Sequence, residues 1–159
     1  MLIQGSKREV EKLSQIKKEA WKSLSIGYAR STKHIDDALQ KSGHVPLDIF
    51  DILDTLEFAE SNQMRMSELA SIKAFSRSGL TRIVDRLEKQ GFVKREPCSA
   101  DGRGYYAVLT EKGREARKNA LPIYERELST IFGSAVTEKQ AHDLVSLVDR
   151  IILSSDKET

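Results

Sequence analysis

The sequence predicts a mainly α-helical chain carrying one small β-hairpin, and three observations lead to that expectation. Leu80, Ile83, Val84 and Leu87 recur at i, i+3, i+4 and i+7, the stripe of a helix buried along one side. Beyond Gly91 the period drops to two. Phe92-Val93-Lys94-Arg95-Glu96 and Tyr105-Tyr106-Ala107-Val108-Leu109 then read as two short strands around the loop Pro97–Gly104. On both sides of this unit the apolar residues return to spacings of three and four, so helices flank it. At 159 residues, 39% of them hydrophobic, the chain is one domain by length with enough apolar content for a core.

In chain order, residues 6 to about 39 predict one long helix, with Val10, Leu13, Ile16, Ala20, Leu24 and Tyr28 along one side. That is long for a small domain, so part of its apolar face is expected to pack on another subunit. Gly43 and Pro46 punctuate the chain before a second helix, Leu47–Ala59, with Phe50, Leu53 and Leu56 as core candidates. Its acids Asp48, Asp51, Asp54, Glu57 and Glu60 fall every third position. That spacing drifts around the helix, so the expectation is a solvated face and not a metal site. A polar turn, Glu60–Gln63, follows. Ser67 is the expected N-cap of a short helix reaching about Lys73. After a tight turn at Ala74-Phe75, the helix Ser76–Gln90 has Ser76 as its N-cap and Gly91 as its left-handed stop. Two helices joined this way form a helix-turn-helix, in which the first braces and the second reads. The hairpin directly behind them makes the unit a winged one.

Thr110 caps the next helix, with Glu111 in its first turn where the dipole favours an anion. Its apolar side is Leu121, Tyr124, Leu128 and Ile131. Pro122 is expected to kink it, and Gly133-Ser134 to end it beyond Phe132. Thr137-Glu138-Lys139-Gln140 is a capping box opening a last helix. Leu144, Leu147, Val148, Ile151 and Ile152 make that helix too apolar for a chain end unless a partner covers it. The expected organisation is a single domain. Helices over about 6–45 and 118–155 serve dimerisation, and residues 46–117 form the winged helix-turn-helix core. There are no internal repeats or low-complexity tracts.

The net charge of +2 is uneven: Ser76–Lys118 holds eleven Lys/Arg and six Asp/Glu, leaving fifteen against eighteen elsewhere. Such asymmetry fits a polyanion-binding face on a near-neutral body. No apolar run approaches the roughly 20 residues that span a bilayer, and the N-terminus turns charged at Lys7-Arg8-Glu9, unlike a signal peptide. No membrane role is expected, and a cytoplasmic location is the simplest reading. The single cysteine, Cys98, excludes an internal disulfide and a thiolate metal cluster. With only Arg95 and Arg103 as candidates to lower its pKa, a redox-sensor role is not favoured. His34, His44 and His142 lack metal-ligand spacing, and no Gly-rich phosphate loop or nucleophile elbow is present. Neither an enzyme nor a cofactor is expected.

Opposite the apolar stripe, the Ser76–Gln90 helix carries Ser78, Arg82, Asp85 and Lys89, flanked by Arg77, Thr81 and Arg86. A helix of this kind can enter a DNA major groove while the hairpin reaches the flanking minor groove. Arg82 is the base-reading candidate, because guanidinium pairs bidentately with guanine O6 and N7. Ser76, Ser78 and Thr81 suit phosphate contacts, which fix register. Lys94 and Arg95 point to opposite sides of a strand, so at most one faces a duplex. Arg103 stands at the hairpin tip. Asp101, repelled by phosphates, is expected to hold an arginine that positions the tip. Trp21 and Tyr28 share one face of the first helix. Core packing is the simpler reading for them, and an aromatic wall of an effector pocket the functional one.

The ordered set SELA, SRSGLTRIVDRLEKQGFVKRE, the D-x-R of Asp101-Gly102-Arg103 and LTEKG (Leu109–Gly113) resembles the multiple-antibiotic-resistance regulator (MarR) family. The resemblance covers about Met66 to Gly113. It implies a homodimeric winged helix-turn-helix transcription factor on a pseudo-palindromic double-stranded operator. It also implies a repressor of genes near its own, released in many members by a small phenolic or other aromatic acid. One departure is Gly102, where the family often has a basic residue, although Arg103 matches the tip arginine. The alternative is an effector-independent module for protein interaction or DNA architecture. A pure protein-interaction module would have no reason to place arginines on both reader helix and hairpin tip.

Overall fold

The computed structural model describes residues 13–73, 75–98 and 104–155. In order these form α1 (Gln15–Lys41), α2 (Leu47–Phe58), β1 (Gln63–Arg65), α3 (Met66–Ile72), α4 (Arg77–Lys89), β2 (Val93–Pro97), β3 (Tyr105–Leu109), α5 (Glu111–Leu128) and α6 (Glu138–Ser155). The expected mainly helical class with a small β wing is what the chain adopts.

The core is built around α2, which is apolar on two sides. Ile49, Ile52, Leu53 and Leu56 pack with Leu69, Leu80, Val84, Leu87, Val93, Ala107 and Leu109, joining α3, α4 and the sheet. Leu47 and Phe50 instead join Ile35, Leu39 and Ala120, with Leu121, Tyr124, Leu128 and Ile131 packed against them. Phe50 stacks on Tyr124 with ring centroids 4.5 Å apart. Each such buried side chain contributes about 1.5–3 kcal/mol, against roughly 0–1 for an exposed ion pair, so packing on α2 sets the geometry. One helix is therefore the shared wall between the reading unit and the flanking helices.

Local chemistry explains most boundaries. Ser76 Oγ accepts from the Gly79 N–H at 3.0 Å, the expected cap of α4. At the other end Gly91 has φ +75°. Its N–H donates to Glu88 O, and that of Phe92 to Leu87 O, both at 2.9 Å, a Schellman closure. Thr110 Oγ1 accepts from the Gly113 N–H to cap α5. Thr137 and Gln140 form the expected box at α6, the Thr137 N–H donating to Gln140 Oε1 at 2.9 Å.

Four expectations change. Ser67 is not the cap of α3: that helix starts at Met66 with Arg65 before it, so Ser67 lies inside the first turn. The hairpin is part of a three-stranded sheet, order β1-β3-β2, in which Gln63 pairs with Val108 and Arg65 with Tyr106. Strand β1 has only three residues, too few for an alternation to be legible. α5 runs helically through Pro122 to Leu128 and closes in a π-helical turn, Ser129–Gly133, ending at the expected Gly133-Ser134. The first helix starts at Gln15 with Ser14 before it, not near residue 6, so Leu13 precedes it. Val10 and the other residues before 13 lie outside the described residues.

The acidic row of α2 is the fourth. Three of its five acids form a docking rail as well as meeting solvent: Asp48 pairs with Arg86 of α4 at 2.8 Å, Asp54 with Arg117 of α5 at 2.6 Å, and Glu57 with Arg114 of α5. Arg114 also donates to Asn62 Oδ1 at 2.9 Å. That holds Asn62 at φ 53°, a left-handed conformation that asparagine tolerates better than most residues. No residue of α6 is buried. Among the described residues no helix is long and apolar enough to cross a membrane.

Candidate nucleic-acid interface

Burying Leu80, Val84 and Leu87 turns the other side of α4 to solvent and leaves Ser76, Arg77, Ser78, Thr81 and Arg82 exposed together on its first half. Among the described residues Arg77 and Arg82 form no ion pair and both are exposed, so their guanidinium donors stay free for a ligand. The hydroxyls are less free. Ser76 is spent as an acceptor but still carries its proton for a phosphate, whereas Thr81 Oγ1 donates to Arg77 O at 2.8 Å and must turn to do so. Arg86 is drawn back to Asp48 of α2 and faces a different groove from Arg77 and Thr81.

Lys94 and Arg95 do point to opposite sides of β2. Lys94 is exposed and pairs with Glu96 at 2.6 Å, a weak surface contact that a phosphate can displace. Arg95 folds onto α4, where Asp85 and Glu88 hold it. Asp101 and Arg103, the expected wing residues, lie outside the described residues, as does Gly102. Between α3, α4 and the wing runs a cavity of about 780 Å³, lined by Arg65, Ser67, Arg77, Thr81, Arg95 and Tyr105 among others. Arg65, Ser67 and Tyr105 were not legible as site residues, because it is β1 that carries Arg65 alongside the wing. Arg65 lies over the Tyr106 ring, 5.7 Å from its centroid. Cys98 is buried beside this cavity.

A second groove, about 1120 Å³, separates α1 from α2 and the turn before α4. Tyr28, Phe75 and Ile152 give it apolar surface, and Asp36, Asp48, Asp51, Lys73 and Arg86 its charge. The simpler reading of the two aromatics as core is corrected: Trp21 is 62% and Tyr28 71% exposed. Only Tyr28 lines the groove, and Trp21, two turns earlier, does not. Burial pushes the Asp51 carboxyl up from its ordinary value, with Lys73 opposing and Asp54 and Asp48 adding to it. Burial likewise raises the Tyr124 hydroxyl, with Asp51 and Asp54 contributing.

A raised carboxyl favours the fold when protonated and opposes it when ionised. Asp51→Asn is therefore expected to raise the melting temperature at neutral pH. The gain should shrink as pH falls from the raised native pKa toward the ordinary aspartate value, about 4, and should be gone below it. Melting curves across pH test it, and a loss of stability at neutral pH would mean that Lys73 outweighs burial.

The model of the MarR family matches residues 49–105, from α2 to the start of β3. The transcriptional repressor MprA of Escherichia coli K12 is 34% identical over 106 residues, covering 67% of this chain and 59% of MprA. The chain thus spans less than two thirds of the length of that curated relative. AbsC, a MarR family transcriptional regulator from Streptomyces coelicolor, superposes with a TM-score of 0.82 at 27% identity, covering 92% of this chain and 98% of AbsC. Sco3205, another from that organism solved in complex with DNA, gives 0.81 at 29% identity, with 93% and 92% covered. Together with the winged helix-turn-helix geometry, these likenesses make the chain a member of the MarR family of winged-helix regulators.

Proposed function

We propose that the chain is a sequence-specific DNA-binding transcriptional regulator, working as a homodimer on a pseudo-palindromic operator. The observation that carries this reading is the pair Arg77 and Arg82, unpaired among the described residues, on the exposed first half of a helix with a wing beside it. The DNA-bound relative Sco3205 supports it. Arg82 reads a base edge. Ser76, Arg77, Ser78 and Thr81 hold phosphates, Lys94 and Arg103 act from the wing with Asp101 positioning the tip, and Arg86 braces α4 against α2. Repression, supported by the likeness to MprA, is the mode of action, in the cytoplasm. A small aromatic or phenolic ligand in the groove at Tyr28 would release DNA by binding one conformation of α4 better than another.

The test is an anisotropy titration of cognate and scrambled duplexes across a salt series. Arg82→Ala is expected to cost about 1–3 kcal/mol on the cognate site alone. Arg103→Ala should weaken both duplexes alike and make the salt dependence shallower by roughly one unit per subunit. Equal, sequence-independent losses would reduce Arg82 to a backbone contact, and no DNA binding at all would leave a protein-interaction module. In a second arm, phenolic acids are added to the complex while the sole tryptophan, Trp21, reports by fluorescence. Release that Tyr28→Ala abolishes is the expected result, and an unresponsive complex would remove the effector.

A further inference from the structure

We infer that Arg95 is a positioning residue that locks the wing to the reader helix, so that the two meet DNA as one surface. The inference rests on the DNA-binding reading above but concerns a residue outside the proposed contacts. Arg95 stands on β2 opposite the fully buried Ala107 of β3, so its backbone is tied to the core. Its side chain crosses to α4. Nη2 meets Asp85 Oδ1 at 2.6 Å, Nη1 meets Glu88 Oε2 at 2.9 Å, and Nη2 also donates to the Thr81 carbonyl at 3.3 Å. The Arg95 backbone N–H donates to the other Glu88 oxygen, at 3.3 Å.

Thr81, Asp85 and Glu88 lie at i, i+4 and i+7, one line along two turns of helix. A single planar fork on that line fixes both the distance of the wing from α4 and its rotation about it, which one point charge cannot do. The side chain is only 21% exposed, so the contact is better shielded from solvent and salt than a fully exposed pair.

The same contact has a plainer reading, that Arg95 simply neutralises two acids beside the DNA. Position and charge predict opposite signs when those acids are removed. Asp85→Asn with Glu88→Gln takes two negative charges off the DNA-facing helix. By charge alone it should bind DNA more tightly. If Arg95 positions the wing, it should bind cognate DNA about tenfold more weakly, roughly the value of one wing contact. Hydroxyl-radical footprints locate the loss: protection of the flanking minor groove should disappear while dimethyl-sulfate protection in the major groove stays.

Arg95→Lys, which keeps the charge and loses the fork, should behave in the same way, with melting temperatures confirming that both variants remain folded. Tighter binding by the double variant, or a loss spread evenly along the site, overturns the inference. So does flanking protection that survives in both variants. If the native protein never protects the flanking minor groove, the wing's proposed role in DNA binding fails, and the positioning role with it.

Discussion

Gly113→Ala is expected to be among the most destabilising single substitutions in this chain, lowering stability by about 3 kcal/mol or more. A Cβ at Gly113 would overlap the Phe92 carbonyl oxygen and lie 3.0 Å from its carbon and 2.9 Å from Leu109 Cδ1. Two of those three atoms are backbone, so no rotamer change relieves the overlap. The backbone cannot easily shift either. Thr110 donates its N–H to Phe92 O at 3.1 Å and its hydroxyl to Gly91 O at 2.7 Å, while its oxygen caps Gly113. The first turn of α5 is thus pressed onto the closure that ends α4. Gly91→Ala is the comparison: it forces a side chain to φ +75° but meets nothing closer than 3.7 Å, and should cost about 1 kcal/mol. Thermal unfolding should show a drop of roughly 10 °C for Gly113→Ala and a clearly smaller one for Gly91→Ala. An equal or reversed order would mean that the α5 junction yields.

Leu147→Glu with Ile151→Glu is expected to split the dimer and to weaken operator binding by at least about a hundredfold. Nothing in α6 is buried, and Val145, Leu147, Ile151, Ile152 and Leu153 are exposed on it, as are Ile16, Trp21, Leu24 and Tyr28 on α1. Apolar surface on both terminal helices is more than an isolated soluble chain ordinarily leaves open. A second copy burying these faces would place two reader helices about one helical turn of DNA apart. Each subunit alone would then keep only its half-site affinity. Analytical ultracentrifugation should show a monomer whose binding to an isolated half-site is unchanged. A persisting dimer, or a monomer with full affinity for the whole operator, contradicts the assignment.

What was legible in the sequence follows from how local each determinant is. The limits of α4 could be read because Ser76 and Gly91 act on their own backbone within a few residues. The faces of α4 were legible too, since one buried stripe fixes where Arg77 and Arg82 point. Pairing across the chain was not legible. β1 exists only because β3, more than forty residues later, offers its edge to Gln63–Arg65. The acids of α2 read as solvated because their arginines arrive at positions 86, 114 and 117, and no periodicity records that. Arg95 shows the same limit in smaller form. The alternation of β2 separates it from Lys94, but only the docking of the wing on α4 shows what it holds.

The docking rail on α2 also bears on how the reading unit can be moved between proteins. A cassette cut after the last wing strand, at Leu109, would contain the whole helix-turn-helix and sheet. It would strip Asp54 and Glu57 of Arg117 and Arg114, leaving the supporting helix with two carboxylates that have lost their cations. A chimera that exchanges DNA specificity must therefore carry α2 and the first two turns of α5 as a matched pair, because the portable module ends at Arg117 and not where the wing ends.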